Sequence, residues 1–143
     1  MILDCKGKSL DLTYPQIMGI LNVTPVSDGG QFFGEDLALK QAKKMVTDGA
    51  AIIDVGGEST RPGAEIVSVE QEIARVVPII QAIQSEIDVA ISIDTSKPEV
   101  MRAAINAGAG LINDVQALRV EGAVSVAAEL DVPVCLMHAQ GTL

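Results

Sequence analysis

A short apolar run that ends on a polar residue recurs along this chain. Ile17–Leu21 ends on Asn22, Ala51–Ile53 on Asp54, Val89–Ile93 on Asp94, Gly110–Ile112 on Asn113 and Asp114, and Val132–Met137 on His138. After Asp54 the chain reads Val55-Gly56-Gly57-Glu58-Ser59-Thr60-Arg61-Pro62-Gly63, more functional groups than a plain turn requires. Thr60 and Arg61 suit an anion, because a hydroxyl stands beside a planar guanidinium fork that matches phosphate or carboxylate. The alternative for Arg61 is a salt bridge to Glu58 or Glu65. Asp94 offers a carboxylate that can accept paired hydrogen bonds from a heterocyclic N–H or amino group, and Asn113 adds one acceptor and two donors. Asn22, before Val-Thr-Pro, is the weaker signal, since an Asn there can simply begin a turn. Asp54 reads as a structural acid accepting loop N–H bonds. His138, the single histidine, reads as structural too, having no nucleophile or carboxylate partner in sequence. No Ser/His/Asp or Cys/His arrangement stands out. Hydrogen-bond recognition, an anion clamp and an oxygen ligand for a metal suit a reaction that must stabilise departing charge rather than form a covalent enzyme intermediate.

Such groups work together only if the elements beneath them bring them to one place. The runs are short, rich in β-branched residues and bounded by turn residues, as buried strands are. Helical periodicity fills the gaps. Asp36–Asp48 sets Leu37, Ala38, Ala42, Met45 and Val46 on one face and stops at Gly49; Val69–Ile87 does the same with Ile73, Val76, Val77, Ile80 and Ile83. Ser68-Val69-Glu70-Gln71 predicts a capping box ahead of the second helix, and Pro78 inside it predicts a kink or a break. Ser96-Lys97-Pro98-Glu99 predicts a capped third helix closed by Gly108, and Glu121–Leu130 is the fourth. Ahead of them, Ile2–Thr13 reads as a hairpin turning at Lys6-Gly7-Lys8.

The order βαβαβαβαβ calls for right-handed crossovers and a parallel α/β sheet. Ends of parallel strands lie on one side, so the polar groups are expected to converge on one rim. An open doubly wound sheet and part of a (β/α)8 TIM barrel both fit. Neither a G-x-G-x-x-G fingerprint nor a P-loop follows any strand. A polar group at every strand end, rather than at one switch point, favours the barrel.

Composition bounds the partners. The 143 residues are 48% hydrophobic and 2% aromatic, with mean hydropathy +0.36, which supplies ample core for buried parallel strands. No apolar run reaches the roughly 18 residues of a membrane span, and the first residues lack a signal-peptide core, so a cytoplasmic protein is expected. A net charge of −9 argues against nucleic acid and requires local groups to receive any anion. Cys5 and Cys135 show no metal or disulfide spacing, and Cys135, in Val-Pro-Val-Cys-Leu-Met-His, is expected to be a buried thiol.

The segments MGILNVTP, SDGG, IIDVGGESTRPGA, ISIDTSKPEV, INDV and PVCLMHAQG occur in this order, and together they resemble the signatures of the dihydropteroate synthase family. The resemblance implies a pterin-binding TIM barrel and a cytoplasmic, Mg²⁺-dependent transferase of folate biosynthesis, the sulfonamide target. That family joins p-aminobenzoate to dihydropterin-methyl diphosphate and releases diphosphate. Carried over by motif, Asn22 would ligate Mg²⁺, Thr60 and Arg61 would bind diphosphate beside the p-aminobenzoate site, and Asp94 and Asn113 would hydrogen-bond the pterin, with Met137 packed on its ring. Asp94 and Arg61 would be the catalytic pair, one steadying the cation-like methylene and the other the leaving anion. The implied partners are small molecules, with no nucleic acid and no membrane, and a homodimer of a full-length enzyme is compatible with them.

Two departures accompany the resemblance. The first loop reads N-V-T-P-V-S-D-G-G where the family usually has N-V-T-P-D-S-F-S-D-G-G, so the Asp and Phe after the proline are missing. The family's later motifs, Asp-Pro-Gly-Phe-Gly, Ser-Arg-Lys and Arg-x-His, do not occur. The chain is therefore expected to be the amino-terminal part of a barrel, with residues 1–15 as a hairpin cover and 16–143 as the first five strand units. A non-catalytic half-barrel that binds a pterin or a partner chain, and a pterin-binding methyltransferase domain, are the alternatives.

Overall fold

The computed structural model describes residues 1–23, 34–59, 63–138 and 140. In it the apolar runs become strands and the periodic segments become helices. β1 (Ile2–Cys5) and β2 (Lys8–Asp11) pair antiparallel across the Lys6-Gly7 turn. Then come β3 (Ile17–Asn22), α1 (Glu35–Thr47), β4 (Ala50–Gly56), α2 (Val69–Glu86), β5 (Ala90–Asp94), α3 (Pro98–Ala107), β6 (Leu111–Asp114), α4 (Ala123–Leu130) and β7 (Val134–Leu136).

Strands β3 to β7 form one parallel sheet whose order follows the sequence without reversal. Right-handed crossovers that never reverse direction stack every helix on one face, whereas a doubly wound sheet reverses and covers both. The architecture is thus part of a (β/α)8 barrel. On the helix face, Leu21, Ile53, Val55, Ile91, Ile93 and Ile112 pack against Ala38 and Ala42 of α1, Val76, Ile80 and Ile83 of α2, Met101 and Ala104 of α3, and Ala123 and Ala127 of α4. Alanines at the contacts let the helices lie close to the sheet.

The other face changes character along its length. Near the strand starts it is apolar: Ile52, Ala90 and Leu111 bury against Cys5 and Leu10 of the hairpin, which closes that end. Lys6 Nζ donates to the Ile105 carbonyl at 2.6 Å and ties the hairpin to α3. Toward the strand ends the face turns polar. No described helix is long and apolar enough to cross a membrane.

Several sequence expectations hold and several need correction. The α2 capping box is present, with Gln71 N donating to Ser68 Oγ at 3.1 Å and Ser68 N to Gln71 Oε1 at 3.0 Å. Gly108 ends α3. Pro78, however, does not break α2, which is continuous over Val69–Glu86. Pro78 is on the exposed face, where water can take the carbonyl of Ala74 that its missing N–H leaves. The predicted α3 capping box is absent: the N-cap is Lys97 without a side-chain cap bond, because Ser96 Oγ donates to Asp114 Oδ1 at 2.6 Å instead. α4 begins at Ala123 rather than Glu121. Cys135 is exposed rather than buried, since its strand is an edge strand whose three residues all face solvent.

Candidate functional site

The polar residues that follow the apolar runs are mostly the last residues of the strands themselves, and pairing sets them side by side. In register, Asn22 lies beside Gly56, Gly56 beside Asp94, Asp94 beside Asn113, and Asn113 beside Cys135. Neighbours in such a row are about 4.8 Å apart, so the groups line one rim. One row deeper come Ile20, Asp54, Ser92 and Leu111. Side chains two apart on a strand share a face, which puts both rows on the side opposite the helices.

Asp54 is buried and accepts from Ser92 Oγ at 2.5 Å and from Asn113 Nδ2 at 3.1 Å. It was expected to accept loop N–H bonds; its partners are side chains of the adjoining strands. Its role is still structural, because it fixes which way Asn113 presents its amide. Burial pushes its pKa up, and the hydrogen bonds from Ser92 and Asn113 pull against that. The Asp94 pKa is raised to about 6, first through burial and then through the nearby charges of Asp54, Glu72 and Asp114. A carboxylate so placed gains most from N–H donors or from a positive charge developing in front of it.

Gly57 is where the double glycine matters. A Cβ there would stand 2.9 Å from Val76 Cγ1 and 3.3 Å from the Glu72 carbonyl oxygen, so α2 crosses too close for any side chain. Gly56 faces the rim, where the atoms nearest to a Cβ would be Asp94 Oδ2 at 3.4 Å, Asp94 Cβ at 3.5 Å and Asn22 Oδ1 at 3.7 Å. Asn22 is exposed, and its amide oxygen borders the same spot as the Asp94 carboxylate. Among the described residues no group of three or more His, Cys, Asp or Glu side chains is placed to hold a metal. Mg²⁺ needs no such cage; it is commonly held by one or two protein oxygens, with substrate phosphates and water filling its octahedron. An amide oxygen at the rim fits that mode.

Thr60 and Arg61 lie outside the described residues. Met137 is 40% exposed at the end of β7, and its N–H donates to the Asp114 carbonyl at 3.2 Å. His138 is exposed. Asp114 is buried and organises the loop after β6, accepting from the N–H groups of Gln116 and Leu118, both at 2.9 Å. Sequence reasoning overlooked Ser92, although its position two before Asp94 places it on the same face. It also overlooked Glu72 and Lys97. Glu72 breaks the apolar stripe Val76, Ile79, Ile83 at helical spacing, and an acid on a buried stripe was the available signal.

The profile of the pterin binding enzyme family matches residues 18–143. This chain belongs to that family. The dihydropteroate synthase of Escherichia coli (strain K12) is 55% identical over 143 residues, covering 99% of this chain and 51% of its own length. That of Haemophilus influenzae is 54% identical and is covered over 52% of its length. The crystal structure of 7,8-dihydropteroate synthase from Vibrio fischeri superposes with a TM-score of 0.90 at 56% identity, covering 99% of this chain and 50% of that one. The Xanthomonas albilineans enzyme, solved with 4-aminobenzoic acid, gives 0.91 at 51% identity, covering 98% of this chain and 52% of that one. The chain therefore spans about half the length of the relatives it matches.

Proposed function

We propose that this chain is the part of a dihydropteroate synthase that recognises the pterin ring and receives the diphosphate, in an enzyme that condenses p-aminobenzoate with dihydropterin-methyl diphosphate. The observation that carries the reading is Asp94 beside Asn113 at the end of adjacent parallel strands, with Asp54 orienting the amide from below. Relatives above half identity that bear this name support it. So does the 4-aminobenzoic acid in the Xanthomonas albilineans structure.

The chemistry follows from those groups. Asp94 accepts N–H donors of the pterin, and Asn113 matches the ring's remaining donor and acceptor edge. When the methylene C–O bond breaks, its electron pair leaves with diphosphate and positive charge spreads from the methylene into the ring. Asp94, with the negative field of Asp54, Glu72 and Asp114 behind it, stabilises that charge. The arylamine nitrogen of p-aminobenzoate then forms the C–N bond and gives up a proton to water. The departing anion meets Thr60 and the Arg61 guanidinium, which a chain of net charge −9 must supply locally. Met137 packs on the pterin ring. Mg²⁺, held from the protein side by Asn22, would neutralise diphosphate charge when bound. The complete enzyme would act in the cytoplasm on small molecules, with sulfonamides competing at the p-aminobenzoate site; a relative from Yersinia pestis has been solved with a sulfonamide drug complex.

Apolar side chains exposed along both edge strands, Ile17 and Ile20 of β3 and Val134 and Leu136 of β7, favour a second reading in which a partner polypeptide completes the barrel. The relatives named above are synthases, which weighs against a methyltransferase. Calorimetric binding of dihydropterin-methyl diphosphate and of the bare hydroxymethyl pterin, with diphosphate release assayed with and without p-aminobenzoate and Mg²⁺, tests the proposal. Arg61→Ala is expected to weaken the diphosphate-bearing ligand about tenfold more than the bare pterin, the size of a lost charge-assisted contact. Equal losses for both would remove Arg61 from the anion site. Pterin binding without diphosphate release would leave a binding half-barrel.

A further inference from the structure

A charged cluster lies on the helix side of the sheet, where the chain leaves β4 and enters α2. Lys97 Nζ reaches Glu58 Oε2 at 2.6 Å and Glu72 Oε1 at 2.7 Å. Glu72, only 1% exposed, accepts from Thr95 Oγ1 at 2.5 Å through its other oxygen, and Thr95 Oγ1 in turn accepts the Lys97 N–H at 3.2 Å. Glu58 Oε2 also accepts the Val67 N–H at 3.3 Å. One carboxylate thus joins the residue that enters the loop to the residue that leaves it. Gly57, just ahead, is held by Arg75, whose guanidinium donates to its carbonyl at 2.8 Å, and by α2 pressing on the position where a side chain would be.

Stability alone is a poor reason for this arrangement. The Glu72 carboxylate is buried and costs desolvation energy, while Lys97 and Glu58 keep 25% and 33% exposure, so water weakens what their pairing returns. Burial works against the charge on Lys97, but the Glu58 and Glu72 carboxylates outweigh it and hold its pKa above the usual lysine value. A cation kept charged between two acids from different segments is a geometric device: it sets where those segments stand relative to each other. Here the segments are the loop after β4, the start of α2, and the turn after β5 that begins one residue beyond Asp94.

We infer that Lys97, with Glu58 and Glu72, is a positioning clasp that holds together the two ends of the loop between β4 and α2, Glu58 and Val67, beside the turn that follows Asp94. Lys97 does not touch substrate; it acts by keeping the ends of that loop, Glu58 and Val67, in one place. The inference rests on the proposed anion role of Thr60 and Arg61 for its functional consequence, but the clasp itself is a matter of Glu58, Val67 and Lys97.

Two measurements on the 143-residue chain separate the two layers. Hydrogen exchange of the Val67 amide reports the clasp directly. Lys97→Met should speed that exchange roughly tenfold while amides of β4 and β5 keep their protection, the size of one charge-assisted hydrogen bond. Inorganic diphosphate and 6-hydroxymethylpterin, titrated calorimetrically, report the consequence. Lys97→Met should weaken diphosphate about tenfold and leave the pterin within about twofold, and Lys97→Arg should restore most of the loss. Glu58→Gln, which keeps an acceptor for Val67 but loses the ion pair, guards against a Lys97 variant that fails to fold and should show the same pattern in smaller degree. Unchanged Val67 exchange in both variants overturns the clasp. Equal weakening of both ligands also overturns it, because a merely structural role would do that. Wild-type chain that binds no diphosphate would instead overturn the anion reading, and the clasp would then be judged on Val67 exchange.

Discussion

Asp94, the residue at the centre of the proposed function, carries a cost to stability. The unfolded chain releases this proton near the ordinary aspartate value of about 3.9, whereas the folded chain holds it to about 6. Between those values the folded state binds more protons than the unfolded one, so stability falls as pH rises through the window and stays lower above it. Asp94→Asn removes that penalty. Its Tm should exceed the wild type's at pH 7.5 by roughly 2–5 °C, as loss of a modest destabilising interaction does in a domain of this size. The gap should close by about pH 4; a gap that ignores pH would show that Asp94 is not the strained group. In a complete enzyme the same change should cut turnover on the order of 100-fold or more, the scale of losing one group aimed at developing charge. Wild-type turnover should decline below about pH 6 as Asp94 takes its proton. Asp94 and Asn113 were visible in the sequence because each follows an apolar run. Asp54's part was misjudged there, since its partners Ser92 and Asn113 lie 38 and 59 residues further along the chain.

Elements were legible where local chemistry decides them. The capping box of α2 is closed within four residues, and Gly108 sits where α3 must stop. The α3 cap was misread because Ser96 prefers Asp114, a partner brought in by β6. Pro78 was misread because its place off the apolar stripe, where water can take the carbonyl it leaves, was not weighed against its breaking tendency. The hairpin gives a sharp test at this scale. A Cβ on Gly110 would overlap the backbone of Cys5, and buried backbone cannot step aside as a flexible side chain does. Gly110→Ala should therefore cost about 1–3 kcal/mol, the range for overpacking a tight contact. A lower urea midpoint would report it. An unchanged midpoint would mean that the hairpin is not anchored at that contact.

Among the described residues, β3 and β7 are the outer strands of the sheet. Ile17 is 62% and Ile20 50% exposed on β3, and Leu136 is 51% exposed on β7. Unpaired edge backbone flanked by apolar side chains is a template for pairing with another chain. The purified chain should self-associate in sedimentation velocity at micromolar concentrations, where exposed edges drive association. Ile20→Lys combined with Leu136→Lys should shift it toward monomer, as charges on edge strands do in natural sheets. If the double variant associates as strongly as the wild type, the edges are not the contact.

Taken alone, the sequence was enough for the alternation of strand and helix and for the strand-end residues, because strand period, capping and turn chemistry act within a few residues of one another, and the ordered motifs it shares with a known family were enough for the family and its barrel. Tertiary structure alone decided that Asp54 steers Asn113, that Ser96 serves Asp114 and that Lys97 joins Glu58 to Glu72, because each contact spans 18 to 59 residues. It also decided that Cys135 is exposed, since burial depends on which strand lies at the edge. Polar side chains choose partners by distance through space, and no local pattern encodes that distance.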